Sequence, residues 1–201
     1  MAKIGFIGMG NMGYAMLKGV LNVFEPSDII FTCPDLDKCK RISDETGVKY
    51  AESNAECANN AQYIVLAVKP QVYSAVMKNI VNVIREDSVV ISIAPGITID
   101  SIKDNLGINT KVVRAMPNTP ALVGEGMTGV SYNKDEFSFE QRDVVDRFFQ
   151  FIWKGLSMLM RSLWMLLYVQ VEVRQHMYIC LLRHLLIVLS NMELREMMLI
   201  N

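Results

Sequence analysis

Gly8, Gly10 and Gly13 stand in the pattern G-x-G-x-x-G inside KIGFIGMGNMG, with Asn11 and Met12 between the last two. Glycines at this spacing leave out side chains where a backbone must approach a pyrophosphate at the start of a helix. The pattern alone is weak, since glycines also build ordinary turns. Its context is informative: Lys3 to Ile7 is a short apolar run entering the glycines, and Met12, Ala15, Met16 and Val20 then recur at helical spacing. A strand, a turn and a helix predict a dinucleotide site. A second chemical position is the end of the next strand, Thr32-Cys33-Pro34-Asp35. An acid there would hold ribose hydroxyls, whereas polar or basic residues would accept a phosphate. Asp35 sits near the expected distance from the glycines, but ahead of a helix it reads equally as an N-cap. Lys38 and Lys40 could assist a phosphate or could be solvated on a polar helix. NADPH is the expected cofactor, with NADH as the alternative, and Thr32 and Cys33 belong to its site.

These residues need a scaffold, and the pattern supplies one. Strands are predicted at 3–7, 28–32, 63–68, 88–93 and 111–115, and helices at 11–23, 36–46, 72–84 and 99–106. Gly47 and Gly107 close two of the helices. Such alternation predicts an α/β fold with a doubly wound, mainly parallel sheet. Residues 127–132 read as a late edge strand. Residues 138–150 read as an amphipathic helix with Val144, Val145, Phe148 and Phe149 facing inward.

Two further segments carry specificity: LAVKP at Leu66 to Pro70 and RAMPNTPALVGEGMT at Arg114 to Thr128. Together with the glycine turn they resemble pyrroline-5-carboxylate reductases, which carry a Rossmann domain. The resemblance implies that Ala67, Val68, Lys69 and Pro70 pass under the cofactor. It also implies that Asn54 contacts the ribose and that Met116, Pro117 and Asn118 form the wall near the nicotinamide, Asn118 being the best polar candidate. Without the resemblance, Met116 to Pro120 reads as a loop stiffened by two prolines. The implied reaction is hydride transfer from NAD(P)H to the C=N bond of 1-pyrroline-5-carboxylate, giving L-proline. The resemblance continues through SIAPGI at Ser92 to Ile97, with Pro95 where the family usually has Ala; the proline is expected to be tolerated. It also implies homo-oligomers and a helical second domain whose S-P-G-G-T-T turn binds the substrate carboxylate. No such turn occurs here, and no catalytic residue is identified.

Net charge is -1 with no run of like charges, which disfavours a nucleic-acid partner. The amino terminus lacks the arrangement of a signal peptide, and a cytoplasmic protein is expected. Cys33, Cys39, Cys57 and Cys180 show neither metal-ligand spacing nor a disulfide framework. They read as incidental, and no metal site is expected.

Composition changes after Gln150. Residues 151–201 hold no Ala, Asp, Thr or Pro, but both Trp, both His and half of the chain's 14 Met. The chain therefore reads as a dinucleotide-binding domain over 1–150 and a tail over 151–201, apolar and expected to be irregular or helical. Glu172, Arg174, Gln175, Arg183 and His184 interrupt its most apolar stretch, so no membrane span is expected. His176 and His184 are assigned no ligand role. The tail reads best as a second domain translated out of frame. Moving the frame back by one nucleotide forces Asp from Trp164-Met165, Val from Met177-Tyr178 and Gly from Met192-Glu193. With permitted codons elsewhere, the stretch from Leu159 onward can read DEKFMDAVICASGSSPAYVYMFIEAFAD, in the manner of the family's helical domain. The normal dimerisation domain would then be absent. Two rival functions are a 3-hydroxyisobutyrate-type hydroxyacid dehydrogenase, whose glycine turn reads almost identically, and a nucleotide-binding module without catalysis.

Overall fold

In the computed structural model, β1 (Ala2–Ile7) is the first of six strands that alternate with helices to give a parallel array. The structure describes residues 2–117, 127–150 and 155–158. All of them fall in the first of the chain's two compact units, Met1–Leu159. The second unit lies outside the described residues, as does the boundary expected after Gln150.

From β1 the chain enters α1 (Asn11–Val20), returns through β2 (Ile29–Thr32), and continues through α2 (Leu36–Thr46), β3 (Lys49–Tyr50) and α3 (Asn54–Asn59). Next come β4 (Ala61–Leu66), α4 (Tyr73–Ile80), β5 (Val89–Ser92), α5 (Ile99–Leu106) and β6 (Lys111–Pro117). β7 (Met127–Ser131) and α6 (Phe139–Gln150) follow, and β8 (Gly155–Met158) pairs with β7. The spatial order is β3-β2-β1-β4-β5-β6-β7-β8. β1 to β6 are parallel; β7 runs antiparallel to β6, and β8 parallel to β7. Strand order reverses between β1 and β4, which opens a crevice at the carboxyl ends of these two neighbours.

The central strands are apolar on both sides because helices cover both faces. On β4, Tyr63 and Val65 join the core under α1, α2 and α6, while Ile64 and Leu66 join the core under α3, α4 and α5. Val144, Val145, Phe148 and Phe149 of α6 are all buried, with Phe148 set against Phe6 at 6.1 Å between ring centroids. Across the outer surface, Tyr14 and Lys18 of α1 each donate to Glu45 of α2 at 2.6 Å, tying the two helices near their exposed ends.

The structure departs from the sequence reading at several places: α1 ends at Val20 rather than at 23, and β4 spans 61–66 rather than 63–68. β3 and α3 form within a stretch that had no predicted element; α3 is capped by Ser53, whose hydroxyl accepts from the Glu56 amide at 3.1 Å. α4 is shorter than the predicted 72–84, because the chain leaves it through a tight turn in which Val83 N donates to Ile80 O. Cys33 and Cys39 are not incidental: they are joined as a disulfide across the turn from β2 into α2, their Cα atoms 6.3 Å apart. The strand and helix geometry brings together two cysteines whose spacing carried no signal. Residues 155–158 of the tail, expected to be irregular or helical, form β8. A free strand edge pairs through main-chain groups, whatever the side chains.

Candidate dinucleotide site

The glycine turn is where β1 ends. Gly8 N donates to Thr32 O at 2.9 Å, and Ala67 N donates to Ile7 O at 2.9 Å, so the ends of β2, β1 and β4 are held side by side. Gly8 has φ +99°, and a Cβ there would stand 2.6 Å from Val68 Cγ1 and 2.7 Å from Ala67 O. A Cβ on Gly13 would stand 2.5 Å from Gly8 O. Both approaches are to backbone, which cannot swing aside, and no larger residue fits without moving the turn.

Gly10 differs. A Cβ there would meet nothing within 4 Å, so nothing inside the described protein requires glycine at this position. Gly10 is exposed at the start of α1, with no side-chain cap and no acidic residue in the first turn. The first amides of a ten-residue helix therefore lack a side-chain partner of their own, as an anion cradle requires. Asn11 is exposed beside it and Met12 half-buried. The open space at Gly10 and the uncapped first amides of α1 are of the kind that can receive a pyrophosphate.

The remaining sequence-derived positions fall on the same end of the sheet. Thr32 and Cys33 are buried at the end of β2. Asp35 is the N-cap of α2, its Oδ1 accepting from Lys38 N at 3.0 Å. Asn54 begins α3, after the carboxyl end of β3. Ala67 and Val68 pack against the glycines, Lys69 is exposed, and Pro70 opens a short 3-10 turn. Met116 and Pro117 are half-buried at the end of β6, beyond its last pair with β5, Ser92 to Arg114. Asn118 lies outside the described residues. Pro95 precedes Gly96, which has φ 77°, and proline followed by such a glycine suits a tight turn. The departure at Pro95 is thus accommodated.

The sequence reading missed a buried polar group beside this site. Tyr73, Ser92 and Arg114 are buried at the ends of the second core. Burial pushes the Tyr73 phenol up to about 12, against opposing pulls from Ser92 and Arg114 among others. Cys57 is a buried thiol, likewise pushed up to about 12 by burial, and has no nucleophilic character at neutral pH. Among the described residues no three His, Cys, Asp or Glu side chains gather as a metal site, and no helix is long and apolar enough to cross a membrane.

Comparison with known proteins fits this geometry. Residues 3–96 match the family model described as NADP oxidoreductase coenzyme F420-dependent. Pyrroline-5-carboxylate reductase of Escherichia coli K12 is 43% identical over 148 residues, which are 73% of this chain and 55% of that protein. The resemblance to pyrroline-5-carboxylate reductases holds. Among solved structures, the reductase of Coxiella burnetii superposes with a TM-score of 0.73 at 32% identity, covering 79% of this chain and 58% of that one. The Plasmodium falciparum pyrroline carboxylate reductase, solved with NADP bound, gives 0.68 at 30% identity, covering 79% of this chain and 57% of that one. The chain spans about half the length of the reductases it matches.

Proposed function

We propose that residues 1–150 bind NADPH, or NADH, at the carboxyl ends of β1, β2 and β4, as part of an enzyme that reduces 1-pyrroline-5-carboxylate to L-proline. The observation that carries this is the open position at Gly10, set between two glycines that protein packing explains. In the reductase, the reduced nicotinamide supplies a hydride to the carbon of the C=N bond. The chain's own part is to hold the reactants. Gly8, Gly10, Asn11, Met12 and Gly13 present α1 to the pyrophosphate; Thr32, Cys33 and Asn54 line the ribose end. Ala67 to Pro70 support the dinucleotide, and Met116, Pro117 and Asn118 bound the nicotinamide side, where fixed orientation lowers the barrier.

In this reading residues 151–201 are an out-of-frame replacement for the helical domain that carries the substrate carboxylate site and the dimer contacts. The chain then binds cofactor, does not dimerise normally and reduces the imine poorly; its place is the cytoplasm, with a small imine as substrate and neither nucleic acid nor membrane as partner. The abrupt compositional change and the peptide SGSSPAYVYMFIEA that permitted codons allow in the neighbouring frame support this. NADPH fluorescence titration together with proline formation tests it. The purified chain should bind NADPH yet turn over at under about 1% of the rate of a frame-restored chain. Equal turnover, or coding DNA whose shifted frame lacks SGSSPAY, would refute it.

A further inference from the structure

Tyr73 is the first residue of α4, and its hydroxyl is buried where β4 and β5 end. It lies 2.9 Å from Leu66 O and 3.0 Å from Ser92 Oγ. A carbonyl only accepts and a phenol has one proton, so Tyr73 donates to Leu66 O, which leaves the Ser92 hydroxyl to donate to Tyr73 Oη. The resulting relay runs from Ser92 through Tyr73 to Leu66. Its end point is informative. Leu66 is the last residue of β4, and Leu66 to Ser92 is the last register pair between β4 and β5. Beyond it the β4–β5 ladder stops; Ala67 keeps its amide bond to Ile7 O, and Ala67 and Val68 pack beneath the glycine turn. Tyr73 lies three residues past Pro70 and reaches back to Leu66.

We infer that Tyr73 is a positioning residue for the dinucleotide: through Leu66 it fixes the Ala67 to Pro70 wall, and Ser92 acts only by orienting the Tyr73 hydroxyl. The inference rests on the dinucleotide reading above. A phenol that merely fills the core would be served as well by phenylalanine. Here the hydroxyl is buried and bonded to Leu66 O and Ser92 Oγ, where the ladder between β4 and β5 ends.

The test is a double-mutant cycle on NADPH affinity, using the full chain with Tyr73→Phe, Ser92→Ala and both together. Tyr73→Phe should raise the NADPH Kd about tenfold and Ser92→Ala about threefold. The double variant should bind no more weakly than Tyr73→Phe alone, because the serine acts through the phenol. Urea unfolding of the same proteins separates stability from affinity. An unchanged Kd in a folded Tyr73→Phe protein, or additive effects of the two changes, overturns the inference even if stability falls. Should Tyr73→Phe not fold, Ser92→Ala decides by the same criterion, threefold against none. Failure of the unaltered chain to bind NADPH would overturn both this inference and the reading beneath it.

Discussion

On the β1 and β2 side of the crevice the strand ends are joined by backbone alone, whereas at the ends of β4 and β5 buried hydroxyls add to the backbone ladder. Around Gly8 and Gly13 the main chain is so close that a single methyl has no room, and the hydrogen bonds are amide to carbonyl. Across the crevice, Tyr73 and Ser92 perform the corresponding joining through hydroxyls within the second core. The first side is intolerant of added atoms and indifferent to pH. The second tolerates packing changes of similar shape but depends on a phenol keeping its proton.

The largest expected effect breaks the first side. Gly13→Ala places a methyl 2.5 Å from Gly8 O, and Gly8→Ala adds an unfavourable φ to an equal overlap. Each should cost about 3 kcal/mol or more, read by urea denaturation, since strain and overpacking each contribute about 1–3 kcal/mol. Near-wild-type stability in either would mean that the turn is looser than the geometry states.

A smaller effect sharpens the second side. The Tyr73 phenol is raised from its ordinary value of 10.0 to about 12 by burial. The unfolded phenol therefore loses its proton first, and the stability this group contributes is complete below pH 10 and lost as pH rises towards 12. The loss should be on the order of 2–3 kcal/mol. Buried Tyr63, also raised to about 12, adds to the fall in the same window. Replacing Tyr73 with Phe should flatten the profile between pH 10 and 12 by the Tyr73 share. Glycine-turn variants should leave its shape unchanged.

This contrast also explains what the sequence could reveal. α2 and α5 were predicted with the same bounds that are observed, because Asp35 and Thr98 cap their starts and Gly47 and Gly107 end them. Local signals of that kind are written in neighbouring residues. The strand, turn and helix around Gly8, Gly10 and Gly13 were legible for the same reason. β3 has two residues and α3 has six, too few for a periodicity to show. The Cys33 to Cys39 disulfide depends on how β2 turns into α2, and six residues of separation do not announce it. The relay from Ser92 through Tyr73 to Leu66 needs three segments brought together by the sheet, so a tyrosine on a helix gave no warning. The division of labour among the three glycines was hidden too, since all look alike until their neighbours are known.

That division supplies the most direct test of the central claim, that the open space at Gly10 belongs to a dinucleotide. Gly10→Val should unfold in urea within about 1 kcal/mol of the unaltered chain, the cost of a poorer N-cap for α1 with no packing clash. NADPH titration of the same protein should show at least a hundredfold weaker binding, because the side chain fills the space that the pyrophosphate needs. Undiminished NADPH affinity in a stable Gly10→Val protein would contradict the account.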